Sequence, residues 1–513
     1  MGIEDSGADT GSDGRDKVRR MQETKLERRR VLNLIVWGTT LCAMPACARA
    51  PERSRRPEQR RAPPAAGIVS RAGLGGDMAY AVIDVQSGNL LEGQGANRPL
   101  PPASVAKAIT ALYALDTLGP AYQFRTRLIA TGPIRDGVLR GDLVLAGGGD
   151  PTLETDHLAA MAADLARVGL REITGRFLVW GGALPFVPQI ADDQPPQAGY
   201  NPSVSGLNLN FNRVHFEWRR TGNDFVVSMD GRSNTHRPAV SMARMQIVNR
   251  ASPLYTYQRS AAHDDWTVAR SALGNSGSRW LPVRHPELYA GEVFRSLAAG
   301  RAVTLPAPER TGALPAGNEL VTHRAQPLQE MLRDLLRFST NISAEAVGMA
   351  ATAARSGQPA SLTASAAAMS DWARMRYGMS SARLLDHSGL GAGSRVSMGD
   401  LAVMFRRAGQ QGTLRPLLRQ HQFRDAQNNP VANPGVDVQA KTGTLFFVSA
   451  LGGYVTAPGG RELAFAIASA DLGRRAQVAG GNVDRPQGTV DWSRRARQMQ
   501  QDLLTRWAQA HSG

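Results

Sequence analysis

The chain has 513 residues, of which 42% are hydrophobic, and this length predicts a globular protein of two or three domains and excludes a single ordinary core. Its formal net charge is +16, and all but four of its 60 basic residues are arginines spread along the sequence. Because no dense basic and aromatic block occurs, we expect no nucleic-acid partner. The charge favours a solvated surface that faces an anionic envelope polymer.

The first 50 residues have the pattern of a secretory signal peptide. Three arginines at 28–30 precede a mostly apolar run at 31–46, and residues 48–50 (Ala-Arg-Ala) offer a small-x-small cleavage site. We therefore expect cleavage after Ala50 and a periplasmic protein, with Met21 as an alternative start. The run is short for a transmembrane helix, so at most peripheral membrane association is expected. An uncleaved anchor and a lipoprotein are the alternatives, and the choice between Sec and Tat export stays open.

Both cysteines, Cys42 and Cys47, fall inside this segment. A chain cleaved after Ala50 has no thiol, which excludes a cysteine nucleophile, an iron–sulfur cluster and cysteine-ligated zinc. Residues 51–65, rich in Pro, Arg and Glu, then predict a disordered tether. We expect neither a metal nor a cofactor.

The folded part begins with a predicted strand at 79–85. A helix follows between 101 and 119, because apolar residues recur there at helical spacing. Ser104 and Lys107 lie three positions apart near its N-terminus and hence on one face. A neutral amine within reach of a serine hydroxyl can take its proton during acyl transfer. The same pair also fits a helix cap beside a solvated charge.

The next part of the chain is predicted to be β-rich. Strand patterns occur at 124–130 and 143–145, and an alternating pattern at 214–229 predicts an antiparallel hairpin. We interpret residues 147–151 (Gly-Gly-Gly-Asp-Pro) as a tight turn, because they lack the ending of a phosphate-binding loop. His263-Asp264-Asp265 is interpreted as a solvated loop, since no second histidine stands nearby at metal-ligand spacing.

A second motif, Ser339-x-Asn341, stands between two predicted helices. The first helix covers 328–336 and the second begins at Ala344. Small polar residues between two helices predict a loop that points into a cleft.

A third motif, Lys441-Thr442-Gly443-Thr444, lies on a strand predicted to run from 438 through 455. A partner strand is predicted at 463–468, so that the two form a buried antiparallel hairpin. The chain then ends in a helix with apolar residues from Trp492 to Trp507 on one face, which should pack on this sheet.

The placement of lysine supports a chemical role for these motifs. The chain contains four lysines, Lys17, Lys25, Lys107 and Lys441, and the first two precede the predicted cleavage site. Arginine does not lose its proton in a protein, whereas a desolvated lysine near another cation can. A general base at position 107 therefore has to be lysine, although two solvated lysines can also fall here by chance.

Together, the Ser104, Ser339 and Lys441 motifs match the three-part signature of penicillin-binding proteins and class A β-lactamases. From about residue 75 to 470 the chain further resembles the class C low-molecular-mass penicillin-binding proteins, the D-alanyl-D-alanine carboxypeptidase and endopeptidase family. The residues that carry this resemblance are Leu100–Ser104, Gly141–Leu143, Gly148–Leu153, Val204–Leu207 with Asn210 and Asn212, Asp386–Leu390, and Ala440–Leu445.

The resemblance implies an α/β (α+β) transpeptidase domain of the penicillin-binding and β-lactamase type, in which helices flank an antiparallel sheet. Ser104 and Ser339 are 235 positions apart (339 minus 104), which fits two β-rich inserted domains between the first and second motifs. We expect the catalytic domain at 66–125 and 322–513. Inserted domain II is expected at 126–150 and 213–321, and inserted domain III at 151–212.

The resemblance also implies a serine D,D-peptidase that acts on peptidoglycan stem peptides and is inhibited by β-lactams. Ser104 would attack the peptide carbonyl and form an acyl-enzyme, while Lys107 takes its proton. Lys441 would help to keep Lys107 neutral by like-charge repulsion. Ser339 would relay a proton to the leaving amine.

The remaining motif residues are expected to hold the substrate. Asn341 would bind the substrate amide, while Lys441, Thr442 and Thr444 would bind the terminal carboxylate. Gly443 would allow a close substrate strand. The backbone N–H groups of Ser104 and Thr444 would form the oxyanion hole.

Two alternatives share the same motifs. A β-lactamase needs fast deacylation, for which the sequence shows no placed glutamate, and a non-catalytic peptidoglycan-binding protein would keep only the fold. The sequence leaves open the balance of carboxypeptidase and endopeptidase activity and the oligomeric state. Three departures from the family pattern are His387 in place of a small residue, bulky Phe446-Phe447, and Trp180-Gly181-Gly182 without an acidic residue. The bulky changes bear on substrate preference, and His387 also fits a surface residue.

Overall fold

A computed structural model describes residues 64–425, 427–481, 484 and 486–512. The predicted signal peptide at 1–50 lies outside the described residues, as do residues 51–63 of the expected tether. The end of that tether differs from the prediction, because a helix already begins at Ala65. Among the described residues, no helix is both long enough and apolar enough to cross a membrane.

The described residues contain ten α-helices, numbered here in chain order. They are α1 (Ala65–Ala72), α2 (Ala106–Leu118), α3 (Thr155–Arg167), α4 (Pro286–Ala299), α5 (Leu328–Phe338), α6 (Asn341–Ser356), α7 (Leu362–Tyr377), α8 (Met398–Gln410), α9 (Leu472–Val478) and α10 (Thr489–Ala510).

The same residues contain 22 strands. They are β1 (Asp77–Asp84), β2 (Leu90–Gln94), β3 (Pro99–Leu100), β4 (Arg125–Ala130), β5 (Ile134–Arg135), β6 (Val138–Leu139), β7 (Leu143–Gly147), β8 (Glu172–Ile173), β9 (Phe177–Trp180), β10 (Arg213–Thr221), β11 (Asp224–Asp230), β12 (Ala243–Val248), β13 (Tyr255–Arg259), β14 (Asp264–Ala269), β15 (Ser276–Pro282), β16 (Pro308–Arg310), β17 (Asn318–Arg324), β18 (Val396–Ser397), β19 (Arg419–Gln420), β20 (Asp437–Leu445), β21 (Val448–Thr456) and β22 (Glu462–Ala470).

The main sheet combines strands from distant parts of the chain, in the order β19-β20-β21-β22-β1-β2. All of its neighbours are antiparallel, and β1 pairs with β22 in unbroken register from Asp77 opposite Ala470 to Asp84 opposite Leu463. Alternate residues of β22 enter two different cores. Ala464, Ala466 and Ala468 join the cluster around α2, whereas Leu463, Phe465 and Ile467 join the cluster that contains α1 and α10. Helices therefore cover both faces of the antiparallel sheet, as the fold prediction requires.

Helix α2 is the centre of the layer on one face. All residues from 106 to 114 are buried, and the helix packs against α5, α6 and α7. Alanines at 106, 108, 111 and 114 keep its surface narrow, so the neighbouring helices can approach closely. The residues that follow Ser104 are thus held rigidly inside the domain.

The chain between β4 and β17, called the insertion below, forms a second hydrophobic core. A five-stranded sheet in the order β16-β9-β7-β4-β17 lies beside two three-stranded sheets, β11-β10-β15 and β12-β14-β13. Here the structure differs from the predicted split, because β9, placed in inserted domain III, hydrogen-bonds between β7 and β16 of inserted domain II. Several residues of 184–204 pack into the core around α2 instead. The other predicted boundaries stay predictions.

Two element boundaries also differ from the sequence prediction. The strand expected from 438 through 455 is interrupted at Phe446-Phe447, where a two-residue turn connects β20 to β21 and Phe447 adopts a φ of 55°. Neither residue is typical of such a turn, so the sequence pattern does not predict one here. Helix α6 begins at Asn341 and not at Ala344, because Asn341, the last residue of the second motif, is already helical.

Candidate active site

Ser104 lies in a single 3-10 turn, Ala103–Val105, that leads directly into α2. Pro102 precedes this turn with a φ of −74°, which suits a helix start, and Ala103 has a φ of 45°. A non-glycine residue in the left-handed region is strained and persists only where its surroundings hold it. Ser104 is half-buried, whereas Ala103 and Val105 are buried. The turn therefore fixes the backbone of Ser104 and leaves its side chain partly accessible.

Two glycines let neighbouring backbone lie directly against this turn. A Cβ on Gly443 would lie 2.9 Å from Ser104 N and from Pro102 O, and a Cβ on Gly389 would lie 1.9 Å from Ala103 O. The sequence predicted that Gly443 makes room for a substrate strand. The structure gives a different neighbour, because Gly443 lets β20 lie directly against the backbone that carries Ser104.

Lys107 joins the first and second motifs. It is fully buried, and its Nζ lies 2.9 Å from Ser104 Oγ. The same Nζ donates to Asn341 Oδ1 at 2.7 Å and to the Ser388 carbonyl oxygen at 2.9 Å. All three partners are neutral oxygen atoms, so none of these hydrogen bonds pairs Lys107 with a carboxylate.

Burial lowers the pKa of Lys107 from 10.5 to about 8, because water no longer solvates the ammonium. The Glu345 and Asp386 carboxylates act in the opposite direction and raise the pKa of Lys107. From the sequence, repulsion by Lys441 is expected to help lower the pKa of Lys107. In the structure burial is the main cause, and the repulsion contributes to lowering the pKa of Lys441.

The second motif spans a sharp change of direction between α5 and α6. Ser339 ends α5 in the left-handed region with a φ of 61°, and Asn341 begins α6. The Asn341 side chain uses both ends, since Oδ1 accepts from Lys107 and Nδ2 donates to the Tyr200 carbonyl at 2.8 Å. Tyr200 thereby fixes which way the amide points.

Lys441 joins the third motif to the second. Its Nζ donates to Ser339 Oγ and to the Thr442 carbonyl, both at 2.8 Å. Burial lowers the pKa of Lys441 well below its usual value, and repulsion by Lys107 and Arg419 adds to the effect.

Thr442 and Thr444 are half-buried and alternate along β20 with Lys441 and Gly443. Strand β19 pairs with β20 only at Gln439 and Ala440. Residues 441–445 therefore form the outer edge of the main sheet in the described part of the chain. Unpaired backbone groups on such an edge can receive an extended peptide.

Three contributions to this site were missed by the sequence reasoning. The carbonyls of Tyr200 and Ser388 are backbone atoms that carry no sequence signal, and Glu345 is a buried acid in a helix. His387, for which a surface position was considered, is fully buried and lies beside Gly348, whose Cβ would be 2.2 Å from the His387 ring. Burial lowers the pKa of His387 to about 3, so the ring is neutral.

The insertion holds one group of three potential metal ligands, His215, Glu217 and Asp230, in the described residues. Arg232 already pairs with both of these carboxylates, so a guanidinium occupies the place a cation would take.

The solvated loop predicted at His263-Asp264-Asp265 is wrong, because Asp264 is fully buried. It accepts hydrogen bonds from the Tyr257 hydroxyl and the Arg284 N–H.

The site thus contains a serine, two buried lysines and an amide from three distant segments. Comparison with known proteins shows the family of the chain, since the model of the D-Ala-D-Ala carboxypeptidase 3 (S13) family matches residues 67–483. The chain belongs to this family. It is a serine-type D,D-peptidase, and the predicted relationship to the low-molecular-mass penicillin-binding proteins is confirmed.

Individual relatives agree with this assignment. The chain is 28% identical to a D-alanyl-D-alanine carboxypeptidase of Actinomadura sp. (strain R39), with 75% of this chain and 76% of the relative covered. It is 22% identical to D-alanyl-D-alanine carboxypeptidase DacB of Haemophilus influenzae, covering 76% and 85%. The crystal structure of penicillin binding protein 4 (dacB) from Haemophilus influenzae superposes with a TM-score of 0.70 at 17% identity, covering 86% and 99%. The predicted fold class is confirmed by this likeness. The same Haemophilus protein has also been crystallised with a β-lactam.

Proposed function

We propose that this S13-family chain cleaves bonds to a terminal D-alanine in peptidoglycan stem peptides through an acyl-enzyme on Ser104. The observation that supports this most directly is the contact between motifs. Lys107 connects Ser104 with Asn341, and Lys441 connects β20 with Ser339. The relatives' names supply the substrate class.

The first step is proton transfer from Ser104 to Lys107. A neutral lysine has two N–H bonds and one lone pair. The Asn341 and Ser388 oxygens can only accept, so they take the two N–H bonds, and the lone pair remains for the Ser104 hydroxyl. As Ser104 Oγ bonds to the substrate carbonyl carbon, its proton moves to Lys107 Nζ.

The tetrahedral adduct then breaks its bond to the leaving amine. That amine takes up the proton through Ser339, whose hydroxyl is held by Lys441. The N–H groups of Ser104 and Thr444 stabilise the oxyanion, and Gly443 brings β20 close enough to Ser104 for both to serve. Water attacks the acyl ester in the last step, releases the acid and returns the proton to Ser104.

The edge of β20 holds the substrate in this proposal. Lys441, Thr442 and Thr444 bind the terminal carboxylate, while Asn341 binds the amide before the scissile bond. A β-lactam carries a carboxylate and an acylating carbonyl and is expected to occupy the same place. Action on peptidoglycan also requires export, and the signal pattern at 1–50 supports a periplasmic location.

The test is covalent labelling with fluorescent penicillin, followed by mass spectrometry of the labelled peptide. We expect a long-lived adduct on Ser104 in the wild type and no adduct in Ser104→Ala. Release of D-alanine from a peptide ending in D-Ala-D-Ala should disappear in the same variant. Rapid turnover of penicillin would indicate a β-lactamase instead. A folded wild type that is never labelled would indicate a non-catalytic protein.

A further inference from the structure

Glu345 is a buried acid that the catalytic steps above do not use. It lies on α6 four residues after Asn341, on the same face of the helix. Its Oε2 accepts from His387 N at 2.8 Å, and its Oε1 accepts from Ser388 N at 3.0 Å. Both carboxylate oxygens are therefore engaged by consecutive backbone amides of the loop 386–391.

That loop reaches Lys107 through one atom, the carbonyl oxygen of Ser388. Asp386 braces the other side of the loop, accepting from Gly389 N at 2.5 Å and from Gly391 N at 2.6 Å. Thr110 Oγ1, from α2, donates to the His387 carbonyl at 2.6 Å. The Ser388 carbonyl thus has little freedom to turn while these bonds are made.

The direction of the Ser388 carbonyl matters because Lys107 is held by only two acceptors besides Ser104. Asn341 Oδ1 and Ser388 O each fix one N–H bond, and these two directions set the direction of the lone pair. If one acceptor turns away, the amine rotates about its last bond and its lone pair no longer points at Ser104 Oγ. General-base catalysis depends on this alignment.

We infer that Glu345 is a positioning residue for the general base: its carboxylate holds the 387–388 peptide so that the Ser388 carbonyl aims Lys107 at Ser104. The inference rests on the proposed role of Lys107 in acylation. It assigns a task to an acid that touches neither the substrate nor Ser104.

Charge gives a readout that a merely structural role would not move. The titratable groups that face Lys107 are Glu345 from α6, Asp386 and the neutral His387 from the loop, and Lys441 from β20. Burial raises the pKa of Glu345 to about 8, close to that of Lys107, so the two groups titrate over the same pH range. Where Glu345 is ionised, its carboxylate stabilises the ammonium and raises the pKa of Lys107. Removing its charge therefore favours neutral Lys107 at lower pH, even while the amine is aimed less well.

The experiment compares Glu345→Gln and Glu345→Asp in the full chain. Gln cannot accept from both amides, because its NH₂ group is a donor, and it has no charge. Asp keeps the charge but is too short to reach both amides. We expect both variants to lose at least about tenfold in the acylation rate at the pH optimum. Only Glu345→Gln should also move the acid limb of the pH profile to lower pH.

Glu287→Gln is the matched control, since Glu287 lies in the insertion near Arg310 and outside the site. It should leave the rate and the pH profile unchanged. Equal rates in wild type and Glu345→Gln would overturn the inference. A loss of rate in Glu345→Gln with an unmoved pH profile would also overturn it, because that is the effect of a structural defect alone.

A second measurement covers the case in which wild type is not acylated or Glu345→Gln folds poorly. Lysines labelled with ¹³C at Cε give one signal each, and Lys107→Ala and Lys441→Ala assign the signals of Lys107 and Lys441. The Lys107 signal should titrate at lower pH in Glu345→Gln, and at a nearly unchanged pH in Glu345→Asp, which folds with its charge retained. Identical titration in wild type and Glu345→Gln would reject the inference. Missing acylation of wild type would reject the proposed function alone.

Discussion

Gly443→Ala tests whether the closeness of β20 to Ser104 is required for acylation. The new Cβ would lie 2.9 Å from Ser104 N, Pro102 O and Ala103 Cβ. Comfortable contacts are near 3.5 Å, so the strand or the turn has to move by about 0.6 Å. A displacement of about 1 Å in a reacting group costs about 100-fold. We therefore expect the acylation rate to fall by roughly tenfold or more, with about 1 to 3 kcal/mol of stability lost to overpacking.

The acylation rate is measured by stopped-flow or timed labelling with fluorescent penicillin, and stability by urea unfolding. Gly443 does not adopt a φ in the left-handed region, so alanine adds bulk without backbone strain. Gly274→Ala is the matched control, because a Cβ there meets no atom within 4 Å. Acylation of Gly443→Ala at the wild-type rate would refute the argument that Gly443 sets the distance between β20 and Ser104.

Three further predictions follow from the same site. The acylation rate should fall about tenfold per pH unit below about pH 8 and level off above it, because the pKa of Lys107 is lowered to about 8 and only the neutral amine takes the proton. A flat rate profile from pH 6 to 9 would contradict this. Lys107→Arg and Lys107→Met should both lose about 1000-fold in acylation rate while remaining folded by circular dichroism, because neither side chain acts as a base. If Lys107→Arg kept a tenth of the wild-type rate, Lys107 would not be the general base. Gly348→Ala should lower the free energy of unfolding in urea by about 1 to 3 kcal/mol, because its Cβ meets the His387 ring at 2.2 Å. In a protein that already carries His387→Ala, most of this cost should disappear. An equal cost with and without His387→Ala would show that the ring is not the obstacle.

The sequence predicts those parts of the structure that depend on local patterns. Helix α2, the hairpin of β10 and β11, and α10 follow from the spacing of apolar residues, and their cores form where that spacing places them. The three motifs are recognisable because each is a few consecutive residues with defined chemistry. The structure brings Ser104, Lys107 and Asn341 together, and likewise Lys441 and Ser339.

Features that arise from tertiary contact could not be predicted. The position of β9 depends on hydrogen bonds to strands far away in sequence, so the insertion divides differently from the expected ranges. The turn at Phe446-Phe447 is imposed by pairing of β20 with β21 and not by turn-forming residues. Burial of Lys107 depends on contacts with α6 and the 386–391 loop, which are distant in sequence, so its dominant effect on the pKa of Lys107 could not be predicted.

The pairing of β1 with β22 has a consequence for how the enzyme acquires activity. Asp77 and Ala470 are 393 positions apart (470 minus 77), and the whole insertion lies between them. During synthesis the nucleophile emerges early, but β20 with Lys441 emerges only after the insertion, so no partial chain can complete the site. Closing so long a loop is slow, whereas the insertion has its own core and can form first. Acylating ability should therefore appear late and all at once during folding, which keeps an incompletely folded molecule inert toward the cell wall.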